Sequence, residues 1–173
     1  PDFLKNLYDF VNKSKLTYDL VYAHYYLSGI IGLQIKKKYK LPLFVTFHTL
    51  ALMKNLVARD ESEREDNKRI GLELLLVKNS DKIIATSISD AQYLSALYGC
   101  SKSKISILTP GVDLKVFNPK DKKKSKEIIG AKKDHKLILF VGRIESLKGI
   151  DVLLYAMKIL LGNNPQMHLC LWI

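Results

Sequence analysis

The sequence predicts an α/β fold built on parallel sheets, and three observations carry that prediction. Short apolar runs rich in β-branched residues recur along the 173 residues, amphipathic stretches fill the gaps between them, and turn residues punctuate the joins. Such alternation lays successive strands side by side with helices on both faces, and it places ligands at the carboxyl ends of the strands. A hydrophobic fraction of 47% is enough for a buried core, and the length allows one domain or pieces of two.

In chain order, the strand-like segments are DLVYAH (residues 19 to 24), LFVTFH (43 to 48), KIIATS (82 to 87), ISILTP (105 to 110), LILFV (137 to 141) and MHLCLWI (167 to 173). Each is short and ends near turn residues, as a buried strand should. Between Asp90 and Tyr98 the apolar residues Ala91, Leu94, Ala96, Leu97 and Tyr98 gather on one side of a helix. Ser89 with Gln92 reads as its capping box, and Gly99 as its stop.

Charge and composition exclude several classes. Of the formal charge of +11, residues 114 to 136 supply +6, with nine lysines against Asp121, Glu127 and Asp134. Within it the run DKKKSK (121 to 126) interleaves no aromatics that could stack on bases and matches no nucleic-acid motif, so no nucleic-acid partner is expected. A solvated linker and helix face is the first reading of it, and attraction to an anionic membrane surface the second. No run of about 18 apolar residues occurs, and the opening PDFLKNLYDFVNKSK lacks the pattern of a signal peptide, so the expected compartment is the cytoplasm. Cys100 and Cys170 are too few for a disulfide framework and lack zinc-ligand spacing.

The residues just after the strands are therefore the candidates for chemistry. HYYLSG (24 to 29) follows the first strand, HTL (48 to 50) the second and GRIESLKG (142 to 149) the fifth. In the last of these, Gly142 turns the chain and Arg143 and Lys148 precede a new helical pattern, which suits an anion. Arg69 and Glu73 stand at i, i+4 spacing and could form an ordinary surface salt bridge.

TPGVDLKVFNP (109 to 119), the lysine-rich segment and LFVGRIESLKGIDVLLYA (139 to 156) together resemble the junction and first donor-domain motif of retaining, nucleotide-sugar-dependent glycosyltransferases of family 4. HYYLSG, TFHTLALMKN (46 to 55) and the segment from Arg69 to Glu73 match the same family in the same order. The likeness is greatest to the branch of sucrose-phosphate synthases and the inositol-phosphate N-acetylglucosaminyltransferase of mycothiol synthesis. It implies the GT-B architecture, two doubly wound Rossmann-like domains facing each other across a cleft, both incomplete in this internal fragment. On that reading residues 1–112 are the rear part of the acceptor-binding domain, 113–136 a basic connector and 137–173 the start of the nucleotide-sugar-binding domain. The opening strands with their glycine-rich loop, and the E-x7-E motif of the donor site, would lie outside it.

The resemblance also implies roles. Gly142, Arg143, Lys148 and Gly149 match donor-diphosphate positions, with the two cations stabilising the leaving group. His48 matches the strand-end histidine that faces the transferred sugar. Tyr25, Thr49 and Arg69 match contacts to an acceptor phosphate, while His24 and Tyr26 stay open between site wall and core. A UDP- or GDP-type sugar is the expected co-substrate and a phosphorylated small molecule the expected acceptor; no cofactor and no essential metal are expected. Three alternatives remain beside this: a family member acting on a lipid or polysaccharide at a membrane, a nucleotide-sugar epimerase of the same fold, and a basic interaction module.

Overall fold

The computed structural model describes residues 2–132 and 134–172. They fall into two units, one ending at Gly111 and the other beginning at Val112. The first contains α1 (Asp2–Ser14), β1 (Val21–His24), α2 (Tyr26–Tyr39), β2 (Leu43–Thr46), α3 (Ala51–Asn55), α4 (Asn67–Asn79), β3 (Lys82–Ala85), α5 (Ile88–Tyr98) and β4 (Ile105–Ile107). Its strands pair in the order β1-β2-β3-β4, all parallel.

Residues of α2, α4 and α5 pack into one cluster with one face of this sheet, as right-handed crossovers between consecutive neighbours would place them. The register sets Ala23 beside Val45 and Val45 beside Ile83, so one face of the sheet is apolar. Leu43, Val45, Ile83 and Ala85 are buried there with Leu76 and Val77 of α4 and Leu94 and Tyr98 of α5. Tyr22, Phe44 and Ile84 alternate onto the opposite face, outside that cluster. The reversal of strand order that gives a doubly wound sheet its second helical layer does not occur among these four strands.

Three strand ends and one cap differ from the sequence reading, the first being β4, which stops at Ile107 and not at Pro110. β2 stops at Thr46 rather than His48, because His48 takes φ 61° and leaves the sheet plane. β3 stops at Ala85 because Ser87 is already the N-cap of α5, its hydroxyl accepting from the Asp90 N–H. The expected Ser89–Gln92 box therefore lies two residues too late. Gly99 does end the helix, in the left-handed region at φ 62°.

In the second unit, α6 (Lys122–Ile128) precedes β5 (Lys136–Val141), α7 (Ile150–Asn163) and β6 (Met167–Trp172), and β5 and β6 pair in parallel from Lys136–Met167 to Val141–Trp172. This is one βαβ unit. The lysine-rich segment supplies α6, capped by the Asp121 carboxylate, and residues 114–124 are exposed, as a solvated face should be.

Two glycines set how closely α2 approaches its neighbours. A Cβ on Gly29 would meet Leu76 Cδ1 at 2.7 Å, and one on Gly32 would meet Leu43 Cδ1 at 2.7 Å. Leu76 and Leu43 are both 0% exposed and have nowhere to move. Gly29 thus fixes α2 against α4, the helix that carries Arg69 and Glu73. Gly29→Ala in the full-length protein should cost about 1–3 kcal/mol by overpacking. Gly71→Ala, on α4 with open space around its Cβ, should be neutral or stabilising. Urea midpoints of the two variants check this, and equal shifts would refute the close-approach argument.

Candidate active site at the strand ends

Both leading strands of the first unit end in a non-glycine residue at positive φ. Tyr25 follows β1 at φ 73° and His48 follows β2 at φ 61°. Such conformations cost on the order of 1–3 kcal/mol each and persist where the surroundings over-determine them. The Tyr25 N–H donates to Thr46 O at 2.7 Å, which ties the two turns together.

The turns aim polar groups beyond the sheet edge. His24 Nδ1 and His48 Nε2 lie 2.9 Å apart, with the rings stacked at 5.1 Å. One proton serves that bond, so His48 keeps Nδ1 for a ligand. The Tyr22 ring packs on His24 at 4.4 Å, and its hydroxyl lies 2.7 Å from Thr46 Oγ1. His24, open between wall and core in the sequence, is exposed beside His48, whereas Tyr26 packs against the core.

Beside them Tyr25, Thr49 and Arg69 come together. Arg69 is 6% exposed, and its Nη2 donates to Thr49 Oγ1 at 3.0 Å and to Thr49 O at 3.3 Å. Its guanidinium carbon lies 5.3 Å from the Tyr25 ring centre and 5.1 Å from that of Tyr26, near enough for cation–π attraction. Nε donates to Glu73 Oε1 at 2.9 Å, and Nη1 pairs with Glu65 Oε1 at 2.8 Å. The i, i+4 pair that could have been a surface bridge is buried, with Glu73 at 0% exposure.

Glu73 does more than neutralise Arg69. Its Oε2 accepts from the Ala51 N–H at 2.9 Å and from the Tyr98 hydroxyl, which itself accepts from the Leu52 N–H at 3.0 Å. The N-cap residue of α3, Leu50, has no polar side chain, so Glu73 and Tyr98 cap that helix from across the core. Burial, then the bond to Glu73, pushes the Tyr98 phenol well above its ordinary range. Burial alone would raise the Glu65 carboxyl, but hydrogen bonds from Lys54 and Arg69 outweigh it and hold the group below the usual range. Glu65, Lys54 and Tyr98 were not singled out from sequence.

In the second unit the turn after β5 has the expected backbone. Gly142 stands at φ 158° and Gly149 at φ 63°, with a short 3-10 turn over Ser146–Lys148 between them. Gly149 is the N-cap of α7, and as it has no side chain to accept from the first-turn N–H groups, that helix end suits an anion. Arg143 and Lys148 lie on this turn; the Arg143 side chain is 80% exposed and pairs with Glu145 at 2.9 Å. An exposed pair of that kind is weak and yields readily to a stronger anion. Among the described residues no group of three or more His, Cys, Asp or Glu could hold a metal, and no helix is long and apolar enough to cross a membrane.

The model of Glycosyltransferase Family 4 matches residues 1–116, and that of Glycosyl transferases group 1 matches residues 121–172. D-inositol 3-phosphate glycosyltransferase of Kribbella flavida is 35% identical over 87% of this chain and 36% of its own length. Its counterpart in Paenarthrobacter aurescens is 34% identical over 98% of the chain and 43% of its own length. The chain thus spans about two fifths of these relatives. Among solved structures, sucrose-phosphate synthase of Thermosynechococcus elongatus superposes with a TM-score of 0.81 at 28% identity, covering 99% of this chain and 40% of that one. The Anabaena protein HepE, solved with UDP and glucose, gives 0.72 at 16% identity over 97% of this chain and 42% of its own, a likeness of fold.

The buried network makes a stability prediction. Tyr98→Phe strands the Leu52 N–H and one bond of Glu73, and should cost about 1–3 kcal/mol. Glu73→Ala leaves the Arg69 charge buried beside Glu65 alone and should cost about 3–5 kcal/mol. Chemical denaturation of the full-length variants measures both. Losses of a few tenths of a kcal/mol, as a surface bridge would give, would show the network to be dispensable.

Proposed function

The chain belongs to glycosyltransferase family 4, and on that premise we propose that the full-length protein transfers a hexosyl unit from a nucleoside diphosphate sugar to a hydroxyl of a cyclitol phosphate or sugar phosphate, with retention at the anomeric carbon. The observation that carries this reading is the convergence of Tyr25, Thr49 and a buried Arg69. A phosphate monoester offers several strong acceptors, and a guanidinium can grip two of them at once. The relatives' names, D-inositol 3-phosphate glycosyltransferase and sucrose-phosphate synthase, support a phosphorylated acceptor or product.

Transfer breaks the bond between the anomeric carbon and the diphosphate oxygen, and negative charge develops on that oxygen. The acceptor hydroxyl oxygen bonds to the same carbon, and its proton leaves with the diphosphate. Arg143, Lys148 and the N–H groups at the start of α7 meet the departing charge, with Gly142 and Gly149 admitting the backbone close to it. No dedicated metal is needed for that neutralisation in this reading. His48, anchored through Nε2 by His24, presents Nδ1 to the transferred sugar. The exposed lysine-rich segment favours a second reading, a lipid acceptor at an anionic membrane surface.

Arg143→Ala and Lys148→Ala in the full-length protein should each lower kcat by about 10²-fold, the usual loss for one group that stabilises transition-state charge. Unchanged turnover in both would remove the leaving-group role. For the acceptor, kcat/KM is compared for a cyclitol phosphate and the same cyclitol without phosphate. The phosphorylated acceptor should be strongly preferred, and Thr49→Val should lose about tenfold on it alone, as one hydrogen bond to a charged group is worth. Equal use of both acceptors would favour the lipid reading, which binding to phosphatidylserine vesicles would then test.

A further inference from the structure

Lys54 of α3 and Arg69 of α4 converge on a single oxygen, Oε1 of Glu65. We propose that Glu65 is the resident occupant of an anion subsite and that the acceptor's phosphate displaces it, with Lys54 serving as the second cation. This inference rests on the reading of a phosphorylated acceptor and deepens it.

Three features support displacement over a permanent bridge. First, the backbone of Glu65 is held independently of its carboxylate: Asn55 Oδ1 accepts from the Glu65 N–H at 2.8 Å, and Asn55 Nδ2 donates to Glu65 O at 3.4 Å. The next residue, Asp66, caps α4 by accepting from the Arg69 N–H at 2.6 Å. The carboxylate can therefore swing out by side-chain rotation while the loop and helix stay in place. Second, the site opens on the side of Glu65 and Lys54, whose side chains are 20% and 31% exposed against 7% for Arg69. Third, the charges fit. With Glu65 in place, Lys54, Arg69, Glu65 and Glu73 sum to zero; with Glu65 out, two cations face one buried carboxylate that is already committed to Ala51 and Tyr98. Thr49 Oγ1 accepts from Arg69 and still has its own hydrogen to donate to the incoming anion.

A dianionic phosphate with three terminal oxygens outcompetes one carboxylate for two cations, whereas a neutral acceptor cannot. Glu65 is thus a specificity-determining residue, a built-in competitor that a phosphate overcomes and a hydroxyl does not.

The test is titration calorimetry of inorganic phosphate on the full-length protein with saturating UDP present, so that the donor site is filled. Glu65→Gln should bind phosphate about tenfold more tightly than wild type, and adding Lys54→Met should abolish that gain. In steady-state assays Glu65→Gln should lower KM for the phosphorylated acceptor with little change in kcat. Should Glu65→Gln melt early, Lys54→Met alone still decides, since it should raise KM for the phosphorylated acceptor several-fold and leave that for the unphosphorylated one unchanged. If wild type prefers the phosphorylated acceptor but Glu65→Gln binds phosphate no more tightly, Glu65 is a structural bridge and displacement is wrong. If wild type shows no such preference, the phosphorylated acceptor itself is wrong, and this inference fails with it.

Discussion

The buried ion pair of Arg69 and Glu73 is the constraint on which the first unit depends. Glu73 is wholly enclosed, and a carboxylate can be so only if each oxygen is answered. One oxygen is answered by Arg69, the other by the first turn of α3 and the Tyr98 hydroxyl. The pair thereby joins α4, α3 and α5, and through Thr49 it reaches the turn that follows β2. Pairs of this kind contribute little net stability compared with apolar residues of the same shape, so what this one supplies is position. It fixes a guanidinium, a hydroxyl and two aromatic rings in one place at the carboxyl ends of the strands.

Strain at the strand ends follows from the same arrangement. Tyr25 and His48 adopt positive φ although neither is glycine, and each is tied in from a neighbouring strand end, Tyr25 by its N–H to Thr46 O and His48 by its ring to His24. The second unit solves its turn differently. There Gly142 and Gly149 take the unusual backbone at little steric cost, and Gly149 starts α7 without a side-chain cap. Strained non-glycine residues shape the turns of the first unit, and glycines the turn of the second.

Much of the fold was legible because its signals are local. Strand periodicity, the stop at Gly99 and the turn at Gly142 depend on neighbours within a few residues, and sequence shows those directly. The cap of α5 was misplaced by two residues because Ser87 and Ser89 offer the same hydroxyl, and only the path of β3 decides which one leads the helix. Tyr25, Thr49 and Arg69 were legible through family resemblance, but what encloses Arg69 was not. Lys54, Glu65 and Tyr98 are brought to it by tertiary packing, which leaves no pattern in the chain. One signal was available for Glu73: Arg69, Glu73, Leu76 and Val77 share a single helical face, and a charged pair that continues an apolar stripe belongs to the core.

The account's central claim is that the buried pair serves recognition of a phosphate more than stability. Replacing Arg69→Met together with Glu73→Gln in the full-length protein separates the two, because both charges go while Gln can still accept from Ala51 and Tyr98. The deciding quantity is the ratio of kcat/KM for a cyclitol phosphate to that for the free cyclitol, measured alongside the melting temperature. The account predicts a double variant that melts above Arg69→Met alone and no longer prefers the phosphorylated acceptor. A double variant that keeps the full preference would contradict it.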